Sequence, residues 1–181
     1  MTRTLLGLVL AAALAGCGGA GDGADRPLVV SAASSLTSAF TAYGQAFGGE
    51  VRFSFAGSDA LAAQIRQGVK PDVYAAASPA LPAALHAEGL VEEPVAFAAS
   101  RLVIAVAAGD ETIRSIADLA QPGTTIALGS EHVPIGAYAR ELLGRLGPER
   151  AAAILANVRS NEPDAKGIVG KLAQGAATSV A

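Results

Sequence analysis

Short solid runs of apolar residues alternate along this chain with stretches whose apolar positions recur every three or four residues. Leu28-Val29-Val30 is the first such run; small residues follow, and then Leu36, Phe40, Tyr43 and Phe47 at spacings of four, three and four. The run predicts a buried strand and the spacing a helix. Ser34 and Ser35 stand where the cap of that helix belongs. Val51, Phe53 and Phe55 alternate with Arg52 and Ser54, predicting a second strand that breaks at Phe55-Ala56-Gly57-Ser58-Asp59. Leu61 and Ile65 carry a helix that stops near Gly68. Pro71-Asp72-Val73-Tyr74-Ala75 predicts a third strand, and Ser78-Pro79 opens a helix ending at Gly89.

A second series begins at Arg101. Leu102-Val103-Ile104-Ala105-Val106 predicts a continuous buried strand, Ile113 to Leu119 a short helix closed by Pro122-Gly123, and Thr125-Ile126-Ala127-Leu128 another strand. The loop Gly129 to Gly136 leads into a helix carrying Tyr138, Leu142 and Leu146. Pro148 begins a further helix, Asn157-Val158-Arg159 reads as a strand, and Asp164 to Gln174 as a helix with Ile168, Val169 and Leu172 on one side. Strands alternating with helices predict an α/β fold of parallel sheets flanked by helices.

The N-terminus accounts for much of the 51% hydrophobic content. Met1 to Arg3 form a positive n-region, and Leu5 to Leu14 an apolar h-region too short to span a bilayer as a helix. Leu14-Ala15-Gly16-Cys17 resembles the lipobox of bacterial lipoproteins, which implies lipidation at Cys17. Cys17 is the single cysteine, so it has neither disulfide partner nor metal-site companion. Gly18 to Pro27 reads as a flexible tether. The expected organisation is residues 1–17 as a lipoprotein signal peptide, 18–27 as tether, 28–98 as a first lobe and 99–181 as a second. A net charge of −3 without basic runs gives no electrostatic footprint for nucleic acid.

Candidate catalytic chemistry is sparse. His86 and His132 neighbour no motif that names a base, Gly57-Ser58 lacks a full nucleophile elbow, and Gly167-Ile168-Val169-Gly170-Lys171 lacks the spacing of a phosphate loop. No Cys/His cluster suggests a metal. Small residues, often with a hydroxyl, instead precede helix starts at Ser34-Ser35, Gly57-Ser58 and Pro134-Ile135-Gly136, and Pro163-Asp164-Ala165 opens one more helix. In an open α/β sheet such turns lie at the carboxyl ends of strands, where ligands bind. Several helix N-termini facing one cleft would hold an oxyanion through N–H and O–H donors alone.

Five segments carry a specific resemblance: Ala33-Ser34-Ser35-Leu36-Thr37, Phe55-Ala56-Gly57-Ser58, Leu61 to Ile65, Gly68 to Tyr74, and Glu131 to Ala139. In order and spacing they resemble the molybdate-binding proteins of ABC-type molybdate importers. The resemblance implies a two-lobed periplasmic-binding-protein fold (type II-like) that closes on molybdate or tungstate, anchored in the cell envelope, with an ABC permease as partner. It implies a monomer, no enzymatic activity and no cofactor, with molybdenum entering only as its oxyanion. Ser35 and Ser58 match the family's oxyanion-binding serines. Ile135 and Ala165 stand where the family offers backbone N–H groups.

The sequence departs from the family after Gly175. There the family continues Gly-Glu-Ala-Asp-Ala-Gly-Ile-Val-Tyr, with a tyrosine that contacts the anion, and here Ala176-Ala177-Thr178-Ser179-Val180-Ala181 follows. The expectation is a C-terminally truncated member, lacking that tyrosine and the return strands of the first lobe. Tyr74 and Tyr138 belong to other motifs and are not its substitutes. Three alternatives stand beside molybdate capture: a truncated remnant that does not bind, a binder of sulfate or phosphate, and a hydrolase using Ser35 or Ser58 as nucleophile.

Overall fold

A computed structural model of the protein describes residues 26–180; the expected signal peptide, Cys17 and most of the expected tether fall outside the described residues. The described chain forms two sheets. The first, in the order β2-β1-β3, is parallel throughout: β1 (Leu28–Ala33) lies between β2 (Val51–Ala56) and β3 (Val73–Ala75). A strand paired on both sides and covered on both faces must be apolar or small at every position, and Val30 to Ala33 are all buried. β2 is an edge strand, and its alternation sends Arg52 and Ser54 outward.

A 3₁₀ turn, Ser34–Leu36, connects β1 to α1 (Thr37–Ala46). Neither serine caps a helix: Ala33 and Leu36 hold the cap positions without a side-chain bond, and Ser34 accepts the Thr37 hydroxyl on its carbonyl. The apolar stripe of α1 meets the sheet only in part. No residue of α1 is buried. Phe40 lies 6.4 Å from Phe53, whereas Tyr43 is 66% exposed. α2 (Ser58–Arg66) and α3 (Ala80–Ala87) pack on each other instead, through Ala62, Ile65 and Leu85.

The second sheet runs β4-β7-β5-β6, with β4 at Ile104–Ala105, β5 at Ile126–Gly129, β6 at Val158–Glu162 and β7 at Thr178–Val180. β5 pairs parallel with β6 and β7, as expected of a parallel sheet, and the edge strand β4 pairs antiparallel with β7. α4 (Pro134–Gly144), α5 (Pro148–Ala156) and α6 (Ala165–Ala173) complete this half. Its core is one continuous cluster, including Leu119, Ile126, Leu128, Leu143 and Ile154.

Three expectations from the sequence are corrected. The run Leu102 to Val106 is not a continuous buried strand: the strand there is Ile104–Ala105, paired with β7, and Val103 is 60% exposed. The helix expected over Ile113 to Leu119 is a looped segment ending in a 3₁₀ turn, Asp118–Ala120. There the Asp118 carboxylate takes the N–H groups of Arg114 and Ser115 and the Ser115 hydroxyl, offering the backbone partners other than an α-helical ladder. Thr178–Val180 falls where the family's strand was expected to be missing after the last helix, and it is an inner strand of the second sheet.

Candidate functional site: an anion cleft built from helix starts

The carboxyl ends of β1, β2, β5 and β6 all feed turns into one cavity of about 720 Å³. Ser35, Ser58, Ile135 and Ala165 line it together. Residues 97–103 and Tyr138 line it as well, and the sequence had suggested neither.

Ser58 is the most constrained of the donors. It is the first residue of α2, is 2% exposed, and does not cap its own helix, since Gly57 holds the cap position. Its Oγ accepts the Ala77 N–H at 3.0 Å, and its carbonyl accepts the Tyr74 hydroxyl at 2.7 Å. A hydroxyl that accepts from one side keeps its own proton for another partner, and no acceptor is present among the described residues. Burial, then the neighbouring Asp59 carboxylate, pushes the Tyr74 phenol up to about 12, so it stays a neutral donor to Ser58. Asp59 Oδ1 is buried with no partner among the described residues; its place in the first turn of α2 is one that the helix dipole favours for an acidic side chain. Ser35 is exposed, and its hydroxyl has no partner among the described residues.

The second half offers backbone only. Pro134 occupies the first position of α4 and has no N–H, so Ile135 supplies the first free donor of that helix. The Ala137 N–H already reaches Val133, while those of Ile135 and Gly136 have no acceptor among the described residues. In α6, Asp164 caps by accepting the Gly167 N–H at 2.8 Å, and the Ala165 and Lys166 N–H groups have no acceptor among the described residues. The two halves meet beside these donors: a Cβ on Gly57 would lie 2.8 Å from the Pro163 carbonyl, so only glycine permits the approach.

Of the cavity's lining residues, Arg101 is the one cation, is exposed, and is accompanied by the Asp164 carboxylate. Neither His86 nor His132 reaches the lining. Among the described residues no group of three His, Cys, Asp or Glu side chains could hold a metal ion. The wall is therefore nearly neutral and rich in unpaired hydrogen-bond donors, a chemistry suited to an oxyanion.

A family profile for bacterial extracellular solute-binding proteins matches residues 28–180. The molybdate-binding protein ModA of Mycobacterium tuberculosis is 37% identical, across 98% of this chain and 71% of its own length. The chain belongs to the bacterial extracellular solute-binding proteins, and among them to the ModA type. The periplasmic molybdate-binding protein of Azotobacter vinelandii superposes with a TM-score of 0.68 at 21% identity, over 84% of this chain and 70% of that one. The sulfate-binding protein SubI of M. tuberculosis superposes at 0.62 with 19% identity, over 86% and 64%. Both are similar in fold, the two-lobed architecture of periplasmic binding proteins. An extracytoplasmic location goes with this solute-binding family, and no helix of the described residues is long and apolar enough to cross a membrane.

Sequence reasoning missed what supports the donors. Ala77 and Tyr74 fix Ser58 from the end of β3, and Arg140 braces the start of α4. Ala77 acts through its N–H, which leaves no mark on residue type. Arg140 does carry a signal, a cation four residues after Gly136 and therefore one helical turn on.

Proposed function

We propose that this chain captures molybdate, or its near-isostere tungstate, outside the cytoplasmic membrane and hands it to an ABC-type permease. The observation that carries the proposal is the convergence of Ser35, Ser58, Ile135 and Ala165 on one cavity, each with a donor unpaired within the described residues. Ser35 and Ser58 donate hydroxyls from residues 28–98, the first lobe. Ile135 and Ala165 donate amides from residues 99–181, the second. A dianion seated among neutral donors gains several charge-assisted bonds, each stronger for being buried. Closing the two lobes over it would create the shape that a permease recognises.

The reading includes a lipid anchor at Cys17, a monomeric protein, no cofactor and no catalysis. Against a hydrolase stands the occupation of Ser58: its Oγ accepts from the Ala77 N–H, and no histidine lines the cavity to act as base. Calorimetric titration of the purified chain with molybdate, sulfate and phosphate tests the proposal. Molybdate is expected to bind at least about tenfold more tightly than either competitor, a difference of about 1.4 kcal/mol. Binding of sulfate alone would move the substrate to that anion, and no heat with any of the three would leave the chain a non-binding member of its family.

A further inference from the structure

Arg140 lies outside the cavity lining, yet it ties the turn that supplies the Ile135 amide to the strand that leads to Ala165. One of its terminal nitrogens donates to the Gly129 carbonyl at 2.6 Å and to the Gly136 carbonyl at 3.2 Å. The other donates to Asn161 Oδ1 at 2.9 Å. Gly129 ends β5, Gly136 follows Ile135 in the first turn of α4, and Asn161 lies in β6 just ahead of the Asp164 cap and Ala165. The planar guanidinium thus spans the start of α4 and the strand that delivers α6, a geometry that a point-charge ammonium does not reproduce.

The glycines explain why such a brace is needed. A Cβ on Gly136 would lie 2.0 Å from the Ser130 carbonyl and 2.3 Å from that of Gly129, so β5 and α4 approach here at backbone distance. Two glycines in close contact supply no side chains to hold the turn, and the loop's conformation then depends on hydrogen bonds. Arg140 supplies them. Its side chain is 24% exposed, and its nearest carboxylate, on the 72%-exposed Glu131, lies 3.9 Å away. The guanidinium is therefore satisfied mainly by neutral acceptors.

We infer that Arg140 is a positioning residue: it couples the Ile135 and Ala165 amides into one preformed donor pair for the anion. The inference rests on the oxyanion reading of the cavity, and its test separates the two. Arg140→Met keeps the length of the side chain and removes the brace. Arg140→Lys keeps the charge without the fork, and Asn161→Ala cuts only the tie to β6. In calorimetry with molybdate, Arg140→Met is expected to bind roughly ten- to a hundredfold more weakly, the range typical of groups that orient a ligand's partners. Arg140→Lys should recover only part of the loss. Asn161→Ala should weaken binding less, and the Arg140→Met/Asn161→Ala pair should be non-additive.

Amide hydrogen exchange on the ligand-free chain supplies the second readout. Arg140→Met should speed exchange around residues 134–136 and 165–167 together, and Asn161→Ala around 165–167 alone. Wild-type affinity in Arg140→Met, or exchange that rises evenly across the second half, would overturn the inference and assign Arg140 to general stability. A wild-type chain that binds no oxyanion would instead overturn the reading of the cavity, while exchange would still report whether Arg140 links the two turns. Should Arg140→Met fail to fold, Asn161→Ala carries both arms.

Discussion

The two halves of this molecule face the same cavity with different materials. The first brings hydroxyls, from Ser35 on a 3₁₀ turn and Ser58 on a helix start; the second brings backbone amides at Ile135 and Ala165. They differ in their cores as well. The second half packs around one continuous cluster, whereas the first divides its buried residues between two small ones and leaves an apolar recess of about 360 Å³ against α1. The comparison teaches that donor chemistry and scaffold stability are separable. The half that would offer hydroxyls is the less completely packed, and the half that would offer amides is the one built on a continuous core.

The largest expected contrast lies in the cores. Leu143→Ala removes a fully buried side chain from the second half's cluster and is expected to cost about 2–5 kcal/mol in denaturant unfolding. Tyr43→Ala, on the exposed stripe of α1, should stay within about 0.5 kcal/mol of wild type. Equal costs would erase the difference between the halves.

A smaller contrast separates the donors. Ser58→Ala removes a buried hydroxyl and should weaken molybdate binding by about 1.5–3 kcal/mol, roughly ten- to a hundredfold. Ala165→Val keeps the amide and should change the affinity by less than about threefold. Calorimetric affinities for the two variants decide it, and a larger loss at Ala165 would mean that the side chain there meets the ligand.

The smallest effects appear in the pH dependence of stability. The Asp118 carboxyl is held below its ordinary 3.8 by the Arg114 N–H first and then by Ser115. Its contribution is complete above that value and is lost as pH falls through the lower folded one. Tyr74 runs the other way. Raised from 10.0 to about 12, it contributes fully below the ordinary value and loses its contribution as pH climbs between the two. Unfolding curves of Asp118→Asn should therefore flatten at the acid end, in the second half, and those of Tyr74→Phe at the alkaline end, in the first.

This asymmetry also explains what could be read from the sequence. Ser35 and Ser58 would act through side chains, and residue type marked their two turns, Ser34-Ser35 and Gly57-Ser58. Ile135 and Ala165 would act through N–H groups that any residue but proline carries, so the sequence marked their helix starts and only the resemblance picked out these two residues. The strands β1, β2 and β5 were legible because burial on one or both faces forces an apolar pattern. The run Leu102 to Val106 has the composition of such a strand but forms only the two-residue strand β4 beside β7, and apolar character alone does not reveal pairing. The short Thr178–Val180 strand has little pattern of its own and is set by its neighbours β4 and β5. At Ile113 to Leu119, helical spacing was overruled by a single carboxylate at Asp118.

The central claim is that hydroxyls from one half and amides from the other hold one oxyanion. An amide NMR titration with molybdate tests it most directly. The Ile135 and Ala165 N–H resonances are expected to move downfield together, saturating at the same ligand concentration, and Ser58→Ala should shift this saturation to higher concentration. Resonances of Ile135 and Ala165 that stay fixed while others titrate would contradict it.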